Sequence, residues 1–528
     1  MFEKLRQTVA QWLMPATMPN VQKRMYNMAK SSRLTANWGN STTSEDTELL
    51  SSLRTARNRS RALVRDSAYA QRAKTVIQTN VVGSGIGLQA RVMNTRGELN
   101  TRVNADIEEV WKDWTYKTSC HTGQSLCFED FERTVLGEVF EAGEVFVRLH
   151  FSRFGTSSIP LALELIEAER IADELTSVWG PVNARLGVEV DVFGAPLAYL
   201  IHSRHPGDIQ PLASNQQPFL IERVPVSNIL HIRIINRWPQ TRSMPWMHAA
   251  ARKLNDMDGL TEAEITAARA AACYMGFIEL PSATQQYGEP QADGSIQSEL
   301  EPAVIERLNP GEKFTFAAPN RPNAQLDPFM RMMLREVASG VGCSYEGLSR
   351  DYSQSNYSSS RLSLIDDRDL WRTLQRWLIR DFRTTVHKIW MQQAVLSGGI
   401  GSINKVEYGA NPEKFTAARF KARGWSWVDP TKEVDAYREA VRSGFMTVSD
   451  VINLTGEGRT LEDVLNERRI ELDLMKEKNL LFDTDPATVA VPPKPTAANQ
   501  PEELPPASPS RIEVMIEELE KGLNGSHR

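Results

Sequence analysis

The feature that most constrains this 528-residue chain is a long alanine-rich helical pattern that runs out and is answered by a second one running back. Met247, Leu254, Met257, Ile265, Ala268 and Ala272 lie on one broad helical stripe. At about 1.5 Å per residue the helix from Met247 to Ala272 is close to 40 Å long. Residues 273–325 form a compact insert, with strand-like Phe277-Ile-Glu-Leu280 and Phe314-Thr-Phe316, a Gln/Gly/Pro-rich stretch and an apolar run at Val304 to Leu308. Asp327-Pro328 then opens the returning helix with a capping residue and an N1 proline, and Met330, Met333, Leu334 and Val337 share a face before Gly340 stops it. The pattern is helix out, small α/β tip, helix back. Such a stalk has little use in a lone enzyme and an obvious one in an assembly whose neighbouring copies bury its sides.

Directly after the stalk comes Gly340 to Ser363, in which nearly every residue is small, polar or aromatic. It is followed by a longer amphipathic helix marked by Trp371, Leu374, Leu378, Phe382, Val386, Ile389 and Trp390, ending at Gly398-Gly399. The polar stretch reads as a loop, and loops longer than roughly 12 to 15 residues are usually functional or disordered. It is therefore the first functional candidate.

The remaining pattern is α+β with a mostly antiparallel sheet. Residues 1–48 read as a tether. A helical region over 49–80 carries Arg54, Arg57, Arg59, Arg61, Arg65, Arg72 and Lys74, with Glu45, Asp46, Glu48 and Asp66 nearby, which favours a solvated face or inter-subunit salt bridges over a nucleic-acid patch. Gly83, Gly85 and Gly87 form a helix-to-strand turn rather than a phosphate loop. Helices are expected at Val103 to Trp114 and Phe128 to Glu141, and strands at Glu144 to Phe151, Leu161 to Ile166, Leu186 to Val192, Pro196 to His202 and Ile229 to Ile235. A hairpin closes around Phe193-Gly194-Ala195-Pro196. Trp425, Trp427 and Asp429-Pro430 introduce a helical C-terminal module, and residues 484–510 are a Pro-rich acidic linker before a short terminal amphipathic helix.

Composition narrows the chemistry. With 61 Lys and Arg against 66 Asp and Glu the formal charge is −5, so contact with nucleic acid should be weak or sliding. Four cysteines are too few for a disulfide framework and point to a reducing compartment. Cys120-His121 with Cys127, and His202, His205 and Asp208, are each short of a ligand set and read as buried thiols and a surface turn. The N-terminal MFEKLRQTVAQWLMP is amphipathic but charged, unlike a signal peptide, and no run reaches the roughly 18 apolar residues of a membrane span. Gly-Lys occurs nowhere, so no P-loop is present, and Gly342-Cys343-Ser344-Tyr345-Glu346 lacks the closing glycine of a nucleophile elbow. Asp366 and Asp367 occupy consecutive helix positions and cannot jointly hold a metal. No catalytic residue, cofactor or metal is expected.

Several segments are similar to the lambda-type family of tailed bacteriophage portal proteins. They are Leu63-Val-Arg-Asp66 through Asn80-Val-Val-Gly83, Gly143-Glu-Val-Phe-Val147, Leu165-Ile-Glu-Ala-Glu-Arg-Ile171, His231-Ile with Gln240-Thr-Arg242, Leu308-x-Pro-Gly-Glu312, and Gly342-Cys-Ser-Tyr-Glu-Gly-Leu-Ser-Arg-Asp-Tyr-Ser353 followed by Asn356-Tyr-Ser-Ser359. The resemblance covers about residues 55 to 470, and Cys343 stands where the family usually has Val, a change of similar volume. It implies a portal-type multi-domain fold, assembling as a ring, typically a dodecamer, at one capsid vertex, through which DNA is packaged and ejected. The implied parts are a wing over 49–246 and 364–424, stem helices at 247–272 and 326–344, a clip at 273–325, a channel loop region at 345–363, a helical crown at 425–482 and a flexible tail at 483–528. Implied partners are double-stranded DNA passing without sequence specificity, the terminase, the major capsid protein and head–tail connector proteins, with no membrane, and the implied location is the virion, assembled in the host cytoplasm. By order along the chain, Arg350, Asp351, Tyr352, Ser353, Gln354, Ser355, Asn356, Tyr357 and Ser358 are the channel-loop candidates, with Ser353 to Asn356 offering exchangeable contacts to phosphates. A packaging nuclease or ATPase subunit and a capsid adaptor without a channel are the rival readings.

Overall fold

The computed structural model describes residues 42–177, 183–208, 220–272, 325–425, 430–455 and 461–480, with Arg33, Gly39 and four strand segments between 276 and 316. Most of the expected tether, the clip's Val304 to Leu308 and the whole tail beyond residue 480 lie outside the described residues. The chain divides into two compact units, Met1–Val428 and Asp429–Arg528.

The first unit opens with helices α1 (Glu45–Asp66) and α2 (Ala68–Val81). Ser44 caps α1, accepting from the Thr47 amide, and Glu45, Asp46 and Glu48 sit at its positive end. Strand β1 (Gly87–Ala90) follows, then α3 (Thr101–Trp114), the single turn α4 (Lys117–Cys120) and α5 (Phe128–Ala142). Gly143 ends α5 at φ 89°, where a Cβ would meet the Met244 carbonyl oxygen at 2.3 Å. Only glycine fits this left-handed turn. It delivers the chain straight into β2 (Glu144–His150), the centre of an antiparallel sheet with β3 (Ala162–Ile166) on one side and β8 (Ile229–Arg233) on the other. A second antiparallel sheet takes β4 (Ala184–Arg185), β5 (Val188–Val190), β6 (Pro196–His202) and β7 (Ile221–Pro225) in order. Phe146, Ile166, Val188, Tyr199 and Ile201 join a shared core cluster. The expected hairpin is present between β5 and β6; β7 was not foreseen.

The outgoing stalk helix is α6 (His248–Ala272), and strands β9 (Gly276–Glu279) and β12 (Lys313–Phe316) pair antiparallel, as β10 (Glu289–Pro290) does with β11 (Ile296–Gln297). The returning helix α7 (Leu326–Val341) starts from Gln325, so Asp327 and Pro328 lie within its first turn instead of at the cap. It passes through Gly340, which faces Ala250 of α6, and stops at left-handed Gly342. After the turn α8 (Tyr345–Ser349), helix α9 (Tyr357–Leu378) runs through a π-turn at Ile379–Arg383 into α10 (Thr384–Ser397). In the main core Phe128 and Trp390 meet Trp111 edge-on, with the Trp111 and Trp390 centroids 4.9 Å apart, and Trp114 packs tilted beside all three. Helices α11 (Lys405–Ala410) and α12 (Pro412–Thr416) lead to β13 (Ala418–Lys421), which pairs with β1 and so closes residue 87 onto residue 421. Trp425, expected to open the C-terminal module, instead packs against Trp371 in the first unit, because its indole NH reaches Asn80 at 3.2 Å. The second unit contains α13 (Pro430–Arg442), α14 (Val448–Thr455) and α15 (Leu461–Glu477).

Candidate functional site

The polar stretch is less of a loop than its composition suggests. Gly342 turns the backbone at φ 79°, and its amide and that of Cys343 both donate to the Ala338 carbonyl. Ser344 then caps α8, its hydroxyl accepting from the Gly347 amide at 3.2 Å while donating to Asp367 Oδ2 at 2.6 Å. The Ser344 amide donates to the other oxygen of Asp367 at 2.8 Å. Ser344 is thus committed to holding α8 against α9, and its partner is a carboxylate on a structural helix. Burial raises the Asp367 carboxyl against the pull of Ser344, and it pushes the Cys343 thiol up to about 12. Leu348 is buried in the main core, and Arg72 of α2 reaches the Gly347 carbonyl at 3.2 Å.

Arg350 ends α8 in the left-handed region, φ 58°, and begins the one irregular piece, residues 350–356. Asp351 organises it. Its carboxylate accepts from the Ser353 amide at 3.0 Å and from the Tyr345 hydroxyl at 2.8 Å, and Arg331 of α7 stands 3.6 Å away. Bonds from Ser353, then Tyr345, hold the Asp351 carboxyl down at about 2. Arg335 stacks over the Tyr345 ring at 5.4 Å and reaches Gln354 at 3.4 Å. Asn356 closes the turn with a reciprocal capping box, accepting from the Ser359 amide at 2.8 Å while its own amide donates to the Ser359 hydroxyl.

Of the nine candidate residues, Arg350, Tyr352, Ser353, Gln354 and Asn356 to Ser358 are exposed, and Asp351 and Ser355 are half-buried. Tyr357 and Ser358 belong to the first turn of α9, so the loop expected over 345–363 contracts to seven irregular residues between two capped helices. The composition suggested a loop because Ser, Tyr and Asn dominate it; the Asn-x-x-Ser spacing at Asn356 was the overlooked sign of a helix start.

His202, His205 and Asp208, read above as a surface turn, do not converge on one site: His202 Nε2 lies 2.9 Å from Glu174 and His205 Nε2 3.7 Å from Glu167. Among the described residues no three His, Cys, Asp or Glu side chains could hold a metal ion, and no helix is long and apolar enough to cross a membrane. Several of the N-terminal basic residues pair within the chain, while Arg59 and Arg65 stay on the surface. Arg61 pairs with Glu138 at 2.8 Å and Glu169 at 2.7 Å, Arg54 with Asp173 at 2.6 Å, and Lys74 with Glu141. Arg57 is not on a solvated face at all. It is buried against Glu144, which also takes Arg242 at 2.6 Å and His231 at 2.7 Å.

A model of the lambda family of phage portal proteins matches residues 31–375. A probable portal protein of Halomonas phage phiHAP-1 is 28% identical over 479 residues, covering 88% of this chain and 89% of its own length. Portal protein B of Escherichia phage lambda is 21% identical, covering 78% and 82%. A chain in the neck of a native gene transfer agent particle computed with C12 symmetry superposes with TM-score 0.41 at 14% identity, over 76% of this chain and 94% of that one, too loosely to bear on the fold. The matched span holds the Gly143-Glu144 entry into the sheet, the Glu144 partners His231 and Arg242, both stalk helices and the Asp351 turn, and it exceeds half of the sequence: the chain belongs to the lambda family of phage portal proteins.

Proposed function

We propose that copies of this portal protein close into a ring, typically a dodecamer, at one capsid vertex, and that double-stranded DNA passes through its centre during packaging and ejection. In this reading α6 and α7 are the stem, residues 273–325 the clip, the two sheets with α9 and α10 the wing, and the second unit the crown. The terminase, the major capsid protein and head–tail connector proteins are the partners, and the virion is the location.

The observation that carries the reading is the outer half of α6. Leu254 and Met257 are buried, but from Asp258 to Arg269 no residue is buried against its own chain, and Ile265 is 46% exposed. On α7, Phe329 and Met332 are likewise 46% and 56% exposed. Apolar side chains left open on a two-helix stalk are what adjacent copies around an axis would cover. Residues 350–358 are then the channel turn, with short hydroxyl and amide side chains that meet phosphates weakly enough to let them slide.

Negative-stain electron microscopy of the purified protein tests the ring: rings with a central hole are expected, and persistent monomers would overturn the reading. Removing Asp351 to Ser355, which spares the Asn356 cap, should leave rings intact and impair DNA packaging or retention. Loss of the ring instead would make the turn an interface. ATP hydrolysis or metal-dependent DNA cleavage by the purified protein would favour a packaging enzyme.

A further inference from the structure

Of the large apolar side chains described in the first unit, the two most exposed stand side by side at the tip of the β5–β6 hairpin: Val192 is 91% and Phe193 87% exposed. The turn that carries them is tightly held. Asp191 Oδ1 accepts from both the Phe193 and the Ala195 amides at 2.8 Å, the Asp191 amide donates to the Ala195 carbonyl at 2.9 Å, and Gly194 takes the left-handed corner at φ 85°. Behind the tip, Leu197 and Val226 lie one residue beyond the Ala198–Pro225 pair of β6 and β7 and are 50% and 40% exposed. Single apolar residues on a surface need no explanation, but four gathered at one end of a sheet mark an interaction site. Two of them are already fixed in place, so little freedom is lost when the tip is covered.

The chemistry of the tip restricts its occupant. From Val190 to Leu197 the single charged residue is Asp191, which disfavours nucleic acid and anionic lipid. What fits is an apolar recess with a positive rim, and the first unit carries one. Between α3, α4 and the segment before β3 lies a cleft of about 610 Å³, with buried Trp114 and Ile159 in its lining and Tyr116, 56% exposed, at its edge. The exposed charges beside it are Lys112, Lys117 and Asp113, one net positive charge. Phe193 does not fill the cleft of its own chain, because it stands in solvent. The other cleft, lined by Glu346, Asp366 and Asp369, would repel Asp191.

We infer that the hairpin tip of one copy inserts into the α3–α4 cleft of a second copy, with Val192 and Phe193 filling the recess and Asp191 meeting Lys112. Tip and cleft are different patches, so each copy has one of each to offer and the contact runs head to tail. Such contacts propagate until a ring closes, whereas a tip-to-tip pairing would stop at two copies. The inference rests on the ring reading for the presence of neighbours, and it names a contact that joins them.

The test is photo-cross-linking of the purified full-length chain with p-benzoylphenylalanine in place of Val192 or of Phe193, the joined peptides being read by mass spectrometry. The expected product links the tip to residues 112–119 or 156–159 of a second copy. Phe193→Asp should raise the concentration at which half the chains assemble, followed by sedimentation, at least about tenfold, and Tyr116→Asp on the other side of the contact should do the same. Both side chains are exposed, so the melting temperature of the dissociated chain should stay unchanged. Asp191→Asn keeps the acceptor that holds the turn and removes the charge; it should raise that concentration about threefold, and no further when combined with Lys112→Gln. Cross-links from the tip to another surface or only to a different protein, or assembly of Phe193→Asp at the wild-type concentration, overturn the inference. Rings whose tips cross-link elsewhere defeat it alone, whereas head-to-tail cross-links in open chains without rings defeat the ring and leave it standing.

Discussion

Glu144 and Asp351 do the same job in opposite surroundings. Each carboxylate gathers arginine and ring side chains from several elements and pins irregular chain. Glu144 is completely buried and takes Arg57 from α1, Arg242 and the Ser243 amide from the chain leading into α6, and His231 from β8. Asp351 lies near the surface and takes Tyr345 from α8, Ser353 from its own turn and Arg331 from α7. Burial decides what each is worth. A charge without water depends wholly on its partners, so losing one leaves an uncompensated ion. A charge in contact with water is compensated at once. The first network holds the fold together; the second sets the pose of one turn and little else.

The comparison is tested most severely by Arg242→Ala. Arg242 has no exposed surface, and besides Glu144 it donates to the Leu186 and Ala168 carbonyls at 2.7 and 3.0 Å. Removing one partner of a buried pair costs about 3–5 kcal/mol. The urea midpoint should fall accordingly. A loss no larger than that of a surface arginine such as Arg331→Ala would mean that water enters the Glu144 site and that the two networks are alike.

The next effect is a pH dependence confined to the buried side. Burial holds His231 down at about 4, against the pull of its bond to Glu144, so the folded chain keeps the imidazole neutral. The unfolded chain protonates it near 6.5. Above that pH neither state binds the proton and the stability is complete. As pH falls from 6.5 toward 4 only the unfolded state takes it up, and stability is lost by up to about 1.4 kcal/mol per unit. Glu132 and Glu138, raised by burial, act in the opposite sense. The difference between wild type and His231→Gln isolates the histidine: it should be flat above pH 6.5 and shift steadily against the wild type below it. A difference that stays flat down to pH 4 would show that His231 titrates equally in both states.

These two networks also mark where the sequence was readable. Helices at Phe128 and Met247, the strands at Glu144, Pro196 and Ile229, and the hairpin at Phe193 all follow from local periodicity, and the structure has each of them. Local periodicity showed Glu144 only as the polar start of an apolar strand, and the family resemblance marked its segment without its role, because its partner Arg57 lies 87 residues away and no local rule connects them. Arg57 itself read as one of a solvated series. The turn failed in the other direction: its composition is polar throughout, yet two caps at Ser344 and Asn356 leave few residues irregular. The outer half of α6 was legible as helix, but the exposure of Ile265 depends on what surrounds it, which no single chain encodes.

The smallest expected effect is at the exposed turn. Tyr345→Phe removes the hydroxyl that reaches Asp351 at 2.8 Å and keeps the ring under Arg335. Asp351 retains Ser353 and the nearby Arg331, and the caps at Ser344 and Asn356 are untouched, so the denaturation midpoint should not move measurably. What should change is how firmly 350–356 is held. Arg350 is exposed in the left-handed region at the mouth of the turn, and trypsin needs several residues of extended backbone to cut after it. With its link to the Tyr345 hydroxyl gone, and Arg331 and Arg335 of α7 still in reach, the turn should open more often, and cleavage at Arg350 should accelerate several-fold while other sites keep their rates. Equal cleavage in the two proteins would show that the bonds inside the turn suffice, and that Asp351 is a local cap rather than an anchor to α7 and α8. A fall in the midpoint would show instead that the turn shares the buried network's role in the fold.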